Sequence, residues 1–365
     1  MTSRTLTDRD LNHAMLTRQM LVERAALPVA DAIEKCVGLH AQIPAAPYVG
    51  LWSRLADFHR DDLAALIENR EVVKATLLRG TLHYFTRADY LLMHGTFRPI
   101  EERAWQLNIK GKSVPDVDQL VAQIRRFMEE QPRSHAEIVS EFKPLYPDVD
   151  PNLIRWATRT YLPQVQVPAD KKWSYSGSPK WALAEQWLGE PILVGENRRE
   201  LVRRYLRAFG PASADDMKTW SNLPGLKNVF NEMRDELVIV RHESGTELYD
   251  LPDMPLPDGD MPIPVRFIGD LDNVMFSHDD RTWIIADQHR RRWHGPNAIG
   301  RPIFLVDGMV RGEWKVESGK QGASLVITAW EPIAKADRLA LTDEAEKLIR
   351  FMEPDAKSVE VRFVE

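Results

Sequence analysis

The same order of local patterns, short helices followed by two strands, occurs three times before residue 252. In the clearest copy, a helix over residues 198–208 is followed by a capping box of Ser213 and Asp216, which opens a second short helix. A third helix over residues 226–235 then leads to two strands around the turn Ser244-Gly245. This order is typical of a winged helix-turn-helix, and three copies of it indicate three such units in tandem.

The first two units are predicted from the same signals. The first opens with a capping box of Thr7 and Asp10 and continues with helices over residues 29–40, 48–55 and 61–68 and strands over 72–78 and 81–86. The second has a helix over residues 117–130, a capping box of Ser134 and Glu137, a helix over 152–161 and a hairpin from residues 165–167 and 173–183.

Helical patterning gives way to strands after a proline-rich segment, residues 252–264. Strands are predicted over residues 265–276, 282–286, 302–306, 309–316 and 323–330, followed by a helix over 343–352 and a last strand over 358–364. Several short strands in sequence indicate a small antiparallel barrel or sheet. The predicted fold is therefore α+β, with three tandem winged helix-turn-helix domains (residues 1–90, 91–192 and 193–252) and a C-terminal antiparallel β-barrel (residues 262–365).

Composition restricts the class of protein. No run of 18 consecutive apolar residues occurs, so no membrane span is expected, and the N terminus lacks the apolar core of a signal peptide. The single cysteine, Cys36, excludes an intrachain disulfide and fits a reducing cytoplasm. The net charge of −6 does not exclude nucleic acid, because binding depends on where Lys and Arg cluster. We therefore expect a cytoplasmic protein.

His40 and Gln42 are the leading candidate for a site in the first unit. Pro44 ends the preceding helix, and where the chain then becomes extended, residues two apart point to the same side. The two side chains should therefore reach one common space. Alternatively, they only cap the helix and hydrogen-bond nearby backbone.

Tandem winged helices most often bind double-stranded nucleic acid, so DNA is the expected partner. The basic candidates are Lys171 and Lys172 in the second wing and Arg290, Arg291 and Arg292 in the barrel region. Since Pro296 and Asn297 follow the arginines, this run is predicted at a loop or hairpin tip, where it would enter a groove or contact phosphates. Alternatively, it is a solvated basic loop. No P-loop, dinucleotide-binding glycine pattern, Gly-x-Ser-x-Gly motif or His/Cys set with metal spacing occurs, so neither a cofactor nor a metal is expected.

Several short motifs occur in order along nearly the whole chain. They are Gly-Leu-His-Ala-Gln at 38–42, Gly-Leu-Trp-Ser-Arg at 50–54, Leu-Arg-Gly-Thr-Leu-His at 78–83, Phe-Gly-Pro-Ala-Ser at 209–213 with Trp220, Leu271-Asp272, and Asp280-Arg281. In these motifs the chain resembles the AlkZ/YcaQ family of bacterial DNA glycosylases, which are grouped under a winged-helix DNA-binding name. The resemblance implies three tandem winged helices and a barrel that together form a concave DNA-binding channel.

The resemblance also implies an activity. Better-known family members excise N-alkylated purines, including bulky adducts and interstrand crosslinks, and a Gln-aliphatic-Gln or Gln-aliphatic-Asp motif holds the attacking water. Here Gln42 matches the second position, and His40 stands at the first. The implied function is a monofunctional DNA glycosylase, acting as a nucleoid-associated monomer on N7- or N3-alkylated purines in double-stranded DNA.

The chemistry of such a substrate suits both side chains. An N7-alkylated purine is cationic, so its glycosidic bond is weak, and the enzyme mainly places a water and stabilises a developing sugar cation. The Gln42 amide orients water through its oxygen, and the His40 imidazole, with a reference pKa of ~6.5, orients water or accepts a proton. The alternative is a non-catalytic DNA-binding protein, a regulator or damage sensor, in which His40 is structural.

Two further pairs are candidates for supporting roles. Arg79 and His83 flank the turn of the first wing, and they either face the DNA channel or are buried partners inside the first unit. Asp272 and Arg281 are expected to form an internal ion pair that fixes the barrel against the winged helices.

Overall fold

The structure, a computed structural model, describes residues 5–175, 177–193, 195–257, 259–294, 300–319 and 322–364. The helices are α1 (Asp8–Arg18), α2 (Val29–Lys35), α3 (Ala46–Arg54), α4 (Arg60–Glu68), α5 (Arg87–Asn108), α6 (Val117–Glu130), α7 (His135–Phe142), α8 (Pro151–Tyr161), α9 (Ala184–Leu188), α10 (Arg198–Phe209), α11 (Ala214–Ser221), α12 (Leu226–Glu232), α13 (Asp287–Trp293) and α14 (Lys335–Met352). The strands are β1 (Thr5–Leu6), β2 (Leu39–His40), β3 (Val72–Thr76), β4 (Leu82–Thr86), β5 (Gln164–Gln166), β6 (Trp181–Leu183), β7 (Val238–His242), β8 (Glu247–Asp250), β9 (Arg266–Ile268), β10 (Ile303–Val306), β11 (Met309–Ser318), β12 (Ala323–Ala329) and β13 (Val359–Val364). They form three sheets, in the orders β1-β7-β8, β2-β4-β3-β5-β6 and β13-β12-β11-β10-β9.

Local sequence signals determine where several helices begin. At Thr7, Ser134 and Ser213 the side chain accepts a hydrogen bond from the backbone three residues later, and the acidic side chain at that position bonds back. This reciprocal arrangement satisfies two amide groups that the first turn of a helix leaves without partners. The three predicted capping boxes are confirmed.

The hairpins of the first two predicted units belong to one sheet. β3 pairs with β4, and β5 pairs with β6, as expected for two separate wings. However, β3 also pairs with β5, which joins the two hairpins, and β2 extends the opposite edge by pairing with β4. The first two units are therefore continuous through a sheet. The number of winged-helix units and their boundaries stay predictions.

The N-terminal strand belongs to the sheet of the third unit. β1 pairs in parallel with β7, and Leu6 lies opposite His242. The next helix, α1, is tied to the same unit by Arg18, which donates hydrogen bonds to the two carboxylate oxygens of Asp250 at 2.9 and 2.7 Å. Arg18 also donates to the carbonyl of Leu206 at 2.9 Å. A bidentate pair of this kind satisfies both buried charges.

Within the described residues, the C-terminal strands form an open sheet and not the predicted antiparallel barrel. The edge strands β13 and β9 are not paired with each other, and β13 runs parallel to β12. A parallel neighbour requires a crossover connection, and α14 provides it. The helix packs on the sheet through Leu341 and Leu348, which lie in one buried cluster with Phe304 and Leu325. One face of the sheet is therefore covered by a helix.

Two of the segments predicted as strands in this region are mostly not strands. The run over residues 265–276 forms a strand only at β9, after which Asp272 caps a 3-10 turn, Asn273–Met275, by accepting from the Val274 amide at 3.1 Å. Residues 282–284 form a turn, and residues 285 and 286 lead into α13. Trp283, Ile284 and Ile285 are buried in the main core without any strand pairing. Apolar runs of this length do not distinguish strands from buried turns.

The helix predicted over residues 29–40 ends at Lys35. Val37 and Gly38 have positive φ values of 53° and 85°, which turn the chain into β2. A Cβ atom on Gly38 would lie 2.5 Å from the ring of Phe85, so only glycine fits at this turn. As a result, His40 lies on an edge strand and not at a helix end.

The helix α5 was missed in the sequence. Thr86 caps its start by accepting from the amide of Asp89 at 3.2 Å, and Pro99 lies in its interior. Proline usually ends a helix, so the local pattern did not indicate one helix of 22 residues. This helix forms one side of the cleft described below.

Replacing Gly38 with alanine is expected to lower the free energy of unfolding by about 1–3 kcal/mol more than the same change at Gly111. Both glycines have positive φ, so backbone strain is common to both variants. Only the Cβ at position 38 meets the Phe85 ring, whereas nothing lies within 4 Å of one at position 111. Urea unfolding of the two variants measures the difference, and equal losses would contradict the tight contact.

Candidate active site

The strand β2 brings His40 next to a second histidine. His40 lies opposite His83 on β4, and the two imidazole rings meet edge to face with their centroids 4.9 Å apart. His40 is 6% exposed, and its Nδ1 atom makes no hydrogen bond within the described part of the chain. The ring is therefore held by packing, with a nitrogen left for a further partner.

Gln42 follows at the edge of an open cleft. The Ala41 amide donates to the carbonyl of Leu82 at 2.8 Å, so the pairing continues one residue beyond β2. Gln42 is exposed and lines a cleft of about 480 Å³ between α5, β4 and the second unit. Its side chain is close enough to His40 to raise the pKa of the imidazole. The two side chains are thus neighbours, but Gln42 is exposed and His40 is buried.

Burial changes the chemistry of His40. The pKa of His40 is lowered to about 3, mainly by burial and also by the positive charge of Arg79. Asp272 and Gln42 oppose this shift only partly. The imidazole is therefore uncharged at neutral pH and is a weaker base than its reference pKa suggests. In that state it orients a water as an amide does, without carrying a positive charge.

His83 is fully buried, and its hydrogen bonds define its tautomer. Its Nδ1 lies 3.1 Å from the carbonyl of Thr81, which only accepts, so Nδ1 carries the proton. Its Nε2 then accepts from Arg79 at 3.4 Å. Burial lowers the pKa of His83 well below its usual range. This environment favours the alternative of a buried partner over direct contact with DNA.

Arg79 connects three regions of the chain. Its guanidinium donates to the carbonyl of Trp220 at 2.6 Å and to the side-chain oxygen of Asn273 at 3.2 Å. Asn273 in turn donates to the carbonyl of Gly38 at 2.9 Å. Burial lowers the pKa of Arg79 to about 10, which leaves it charged at neutral pH. These contacts favour a structural role for Arg79, with its charge close to His40.

A buried arginine, Arg54, holds the other side of the site. It donates to both carboxylate oxygens of Asp272 at 2.8 Å, and the side chains of the pair are 1% and 6% exposed. It also donates to the carbonyl of Gly50 at 3.0 Å. Cys36 lies in the same small space as His40, and burial raises the pKa of its thiol to about 11. Cys36 is therefore protonated at neutral pH and is not a nucleophile.

The expected ion pair between Asp272 and Arg281 is wrong. Asp272 is satisfied by Arg54 instead, and the Arg281 guanidinium donates to the carbonyl of Met275 at 2.9 Å. The sequence did not indicate this because Arg54 is 218 residues from Asp272 along the chain. The inferred role of Asp272, fixing the C-terminal region against the first unit, agrees with the pairing that the structure has.

The basic candidates differ in whether contacts within the protein already engage their positive charges. Lys172 pairs with Glu353 at 2.8 Å, whereas Lys171 is exposed in the connection between β5 and β6. The arginine run lies on the helix α13 and not at a loop or hairpin tip; Arg290 is half-buried and its two successors are exposed. Arg292 donates to the carbonyl of Trp330 at 3.3 Å. Pro296 and Asn297 lie outside the described residues.

The cleft beside Gln42 was not predicted. It is lined by Tyr90 and His94 of α5, by His135 and Thr160 of the second unit, and by Gln164 of β5, among others. It depends on a helix that the sequence analysis missed and on pairing between two wings. The signal that could have found it is the polar pair Tyr90 and His94, one helical turn apart.

Away from the site around His40, the described residues include one cluster of side chains that could hold a metal ion. Asp8, His242 and Glu243 place ligand atoms within 4.8 Å of one another, at the surface where β1 meets β7. It lies beside a different sheet from the one that contains His40.

Among the described helices, none has the length and apolar composition that a membrane-spanning helix requires.

Comparisons with known proteins identify the family of this chain. Residues 33–351 match the model of a family described as DNA glycosylase AlkZ-like. The chain is similar to an interstrand DNA cross-link repair glycosylase from Streptomyces sahachiroi, with 22% identity over 92% of this chain and 94% of the relative. Its fold is similar to that of the solved S. sahachiroi DNA glycosylase AlkZ, with a TM-score of 0.80 and 18% identity over 99% of this chain and 100% of the other.

The chain therefore belongs to the AlkZ-like DNA glycosylase family. It is an enzyme that acts on N-glycosyl bonds, and its substrate is DNA. The family match covers His40 and Gln42. Membership also argues against the alternative of a non-catalytic regulator or sensor.

Replacing Asp272 with alanine is expected to lower the free energy of unfolding by about 3–5 kcal/mol, because it leaves the buried charge of Arg54 without a partner. The matched control is Glu102→Ala, which removes one partner of Arg98 from an ion pair whose side chains are 45% exposed. That change is expected to have an effect of at most about 1 kcal/mol. Thermal and urea unfolding compare the two. Similar small losses would mean that the Arg54–Asp272 pair does not stabilise the fold.

Proposed function

We propose that this DNA glycosylase hydrolyses the N-glycosidic bond of N7- or N3-alkylated purines in double-stranded DNA, with a water held by His40 and Gln42. The observation that carries the proposal is the pairing of a buried, uncharged imidazole with an exposed amide at the edge of a cleft. The name of the S. sahachiroi relative supports extending the substrates to bulky adducts and interstrand crosslinks.

The reaction needs little acid or base assistance. The water oxygen bonds to C1′ of the sugar as the C1′–N9 bond breaks, and the electron pair of that bond stays on the purine. The cationic base leaves neutral, and the proton of the water passes to bulk solvent. The Gln42 oxygen and a free nitrogen of His40 accept hydrogen bonds from the water and fix its position. Because His40 is uncharged, it does not repel the cationic base or the developing sugar cation.

The remaining candidates divide between binding and positioning. Lys171 and Arg291 contact phosphates in this proposal. Lys172, Arg292 and Arg290, whose guanidinium lies 3.4 Å from the carboxylate of Asp287, contribute the charge that their internal contacts leave available. Arg79 and His83 position the strand that carries His40. The enzyme acts as a monomer and uses no cofactor or metal.

Replacing Gln42 with alanine is expected to lower the rate of base release by ~10²-fold or more, because the water loses an orienting group. The assay is single-turnover release of 7-methylguanine from a duplex. Gln106→Ala, which removes an exposed glutamine on α5, is the control and should leave the rate unchanged. Full activity of the Gln42 variant would overturn the assignment of the site.

The rate of base release is expected to be constant between pH 8 and pH 5, because a pKa of about 3 keeps His40 neutral over that range. The rate should fall only as the pH approaches 3, where protonation begins. An imidazole with an unperturbed pKa of ~6.5 would instead titrate in the middle of the range. The profile is measured after subtracting spontaneous depurination, beside His40→Gln, which has no titrating ring. A step near pH 6.5 in the wild type alone would contradict a neutral His40.

A further inference from the structure

The cleft beside Gln42 contains an unusual group of buried polar atoms. The hydroxyls of Tyr90 and Thr160, Nε2 of His135, and both amide atoms of Gln164 are buried and have no hydrogen-bond partner within the geometric limits among the described residues. Gln164 lies close enough to His135 to raise the pKa of its imidazole. All four side chains line the same cleft of about 480 Å³. Buried polar groups in proteins are nearly always paired, so such a concentration around one cavity calls for an external partner.

The charges around the cleft indicate what kind of partner fits. Burial lowers the pKa values of His94 and His135 to about 4, so both rings are neutral at neutral pH. Glu101 is neutralised by Arg159, which donates to both of its carboxylate oxygens at 2.8 Å. Arg98 and Arg155 also line the cleft, but both are exposed at the surface, and Arg98 is paired with Glu102 at 2.8 Å. The interior therefore suits an uncharged group that donates and accepts hydrogen bonds.

The volume and the aromatic walls of the cleft indicate the size and the ring character of the group that fits it. A volume of about 480 Å³ is in the range of sites that bind drug-sized organic molecules. Trp181 stacks on His135 with ring centroids 4.9 Å apart, and Phe97 and Tyr90 add aromatic surface. Gln42 is exposed in the same cleft, so a group attached to a base at the reaction centre has a direct path into it.

We propose that this cleft is a specificity subsite for the substituent on the alkylated base, and that Tyr90, His135, Thr160 and Gln164 hydrogen-bond a neutral, polycyclic group of drug size. The inference rests on the proposed function. It assigns these four residues to substrate selection, separate from the water held by His40 and Gln42.

The test compares two duplexes, one with 7-methylguanine and one with the N7-guanine adduct of aflatoxin B1, a neutral polycyclic group with carbonyl acceptors. The variant Thr160→Val with Gln164→Met removes two of the polar groups at similar volume. It should raise KM for the bulky adduct about tenfold, with kcat nearly unchanged, and leave 7-methylguanine release as in the wild type. Thr158→Val is the control, because this buried threonine is on the same helix but donates to the carbonyl of Ile154 at 2.8 Å.

The double variant is also expected to have a higher melting temperature without DNA, because apolar side chains replace buried polar groups that have no partner. This readout separates loss of recognition from loss of folding. An equal KM for the bulky adduct in the double variant and the wild type would overturn the subsite. If the wild type releases neither base, the proposed function is wrong. In that case, the Kd for the adducted duplex tests the subsite. Tenfold weaker binding by the double variant would support it, and an equal Kd would refute it.

Discussion

The buried ion pair between Arg54 and Asp272 is the interaction on which the site depends. It joins helix α3 of the first unit to the segment between β9 and β10 of the C-terminal sheet. Arg54 also contacts Gln19, whose amide donates to the carbonyl of Ala208 in the third unit. The residue after Asp272, Asn273, holds both the turn at Gly38 and the guanidinium of Arg79. A single buried carboxylate thus anchors the segment that fixes β2 from outside its own sheet. Removing one partner of such a pair is strongly destabilising because the other charge stays buried.

In the proposed function, His40 takes the place of the glutamine that the family resemblance implies, and its environment suits it to that role. An exposed imidazole would be partly cationic near neutral pH and would repel a cationic substrate. Burial beside Arg79 removes that charge, which leaves a polar ring with hydrogen-bonding capacity similar to that of an amide. The protein therefore changes the chemistry of the side chain through its surroundings, and the identity of the residue alone does not predict it.

The sequence predicted those features that local interactions determine. The capping boxes at Thr7, Ser134 and Ser213 and the helix Val117–Glu130 follow from hydrogen bonds and periodicity within a few residues. The end of α2, the partner of Asp272 and the burial of His83 depend on contacts between distant segments, such as the Phe85 ring against Gly38. For the same reason the motif around Gln42 was recognisable, whereas the cleft beside it, built from α5 and a sheet shared by two units, was not.

The parallel pairing of β1 with β7 has a consequence for the order in which the parts of the chain fold. Thr5 and Leu6 leave the ribosome long before their partners, Arg241 and His242. The same is true of Arg18, whose carboxylate partner Asp250 comes 232 residues later. Contacts of such long sequence separation form late in folding. Helix α1 is thus synthesised long before the partners that fix it, and it reaches its final place late in folding.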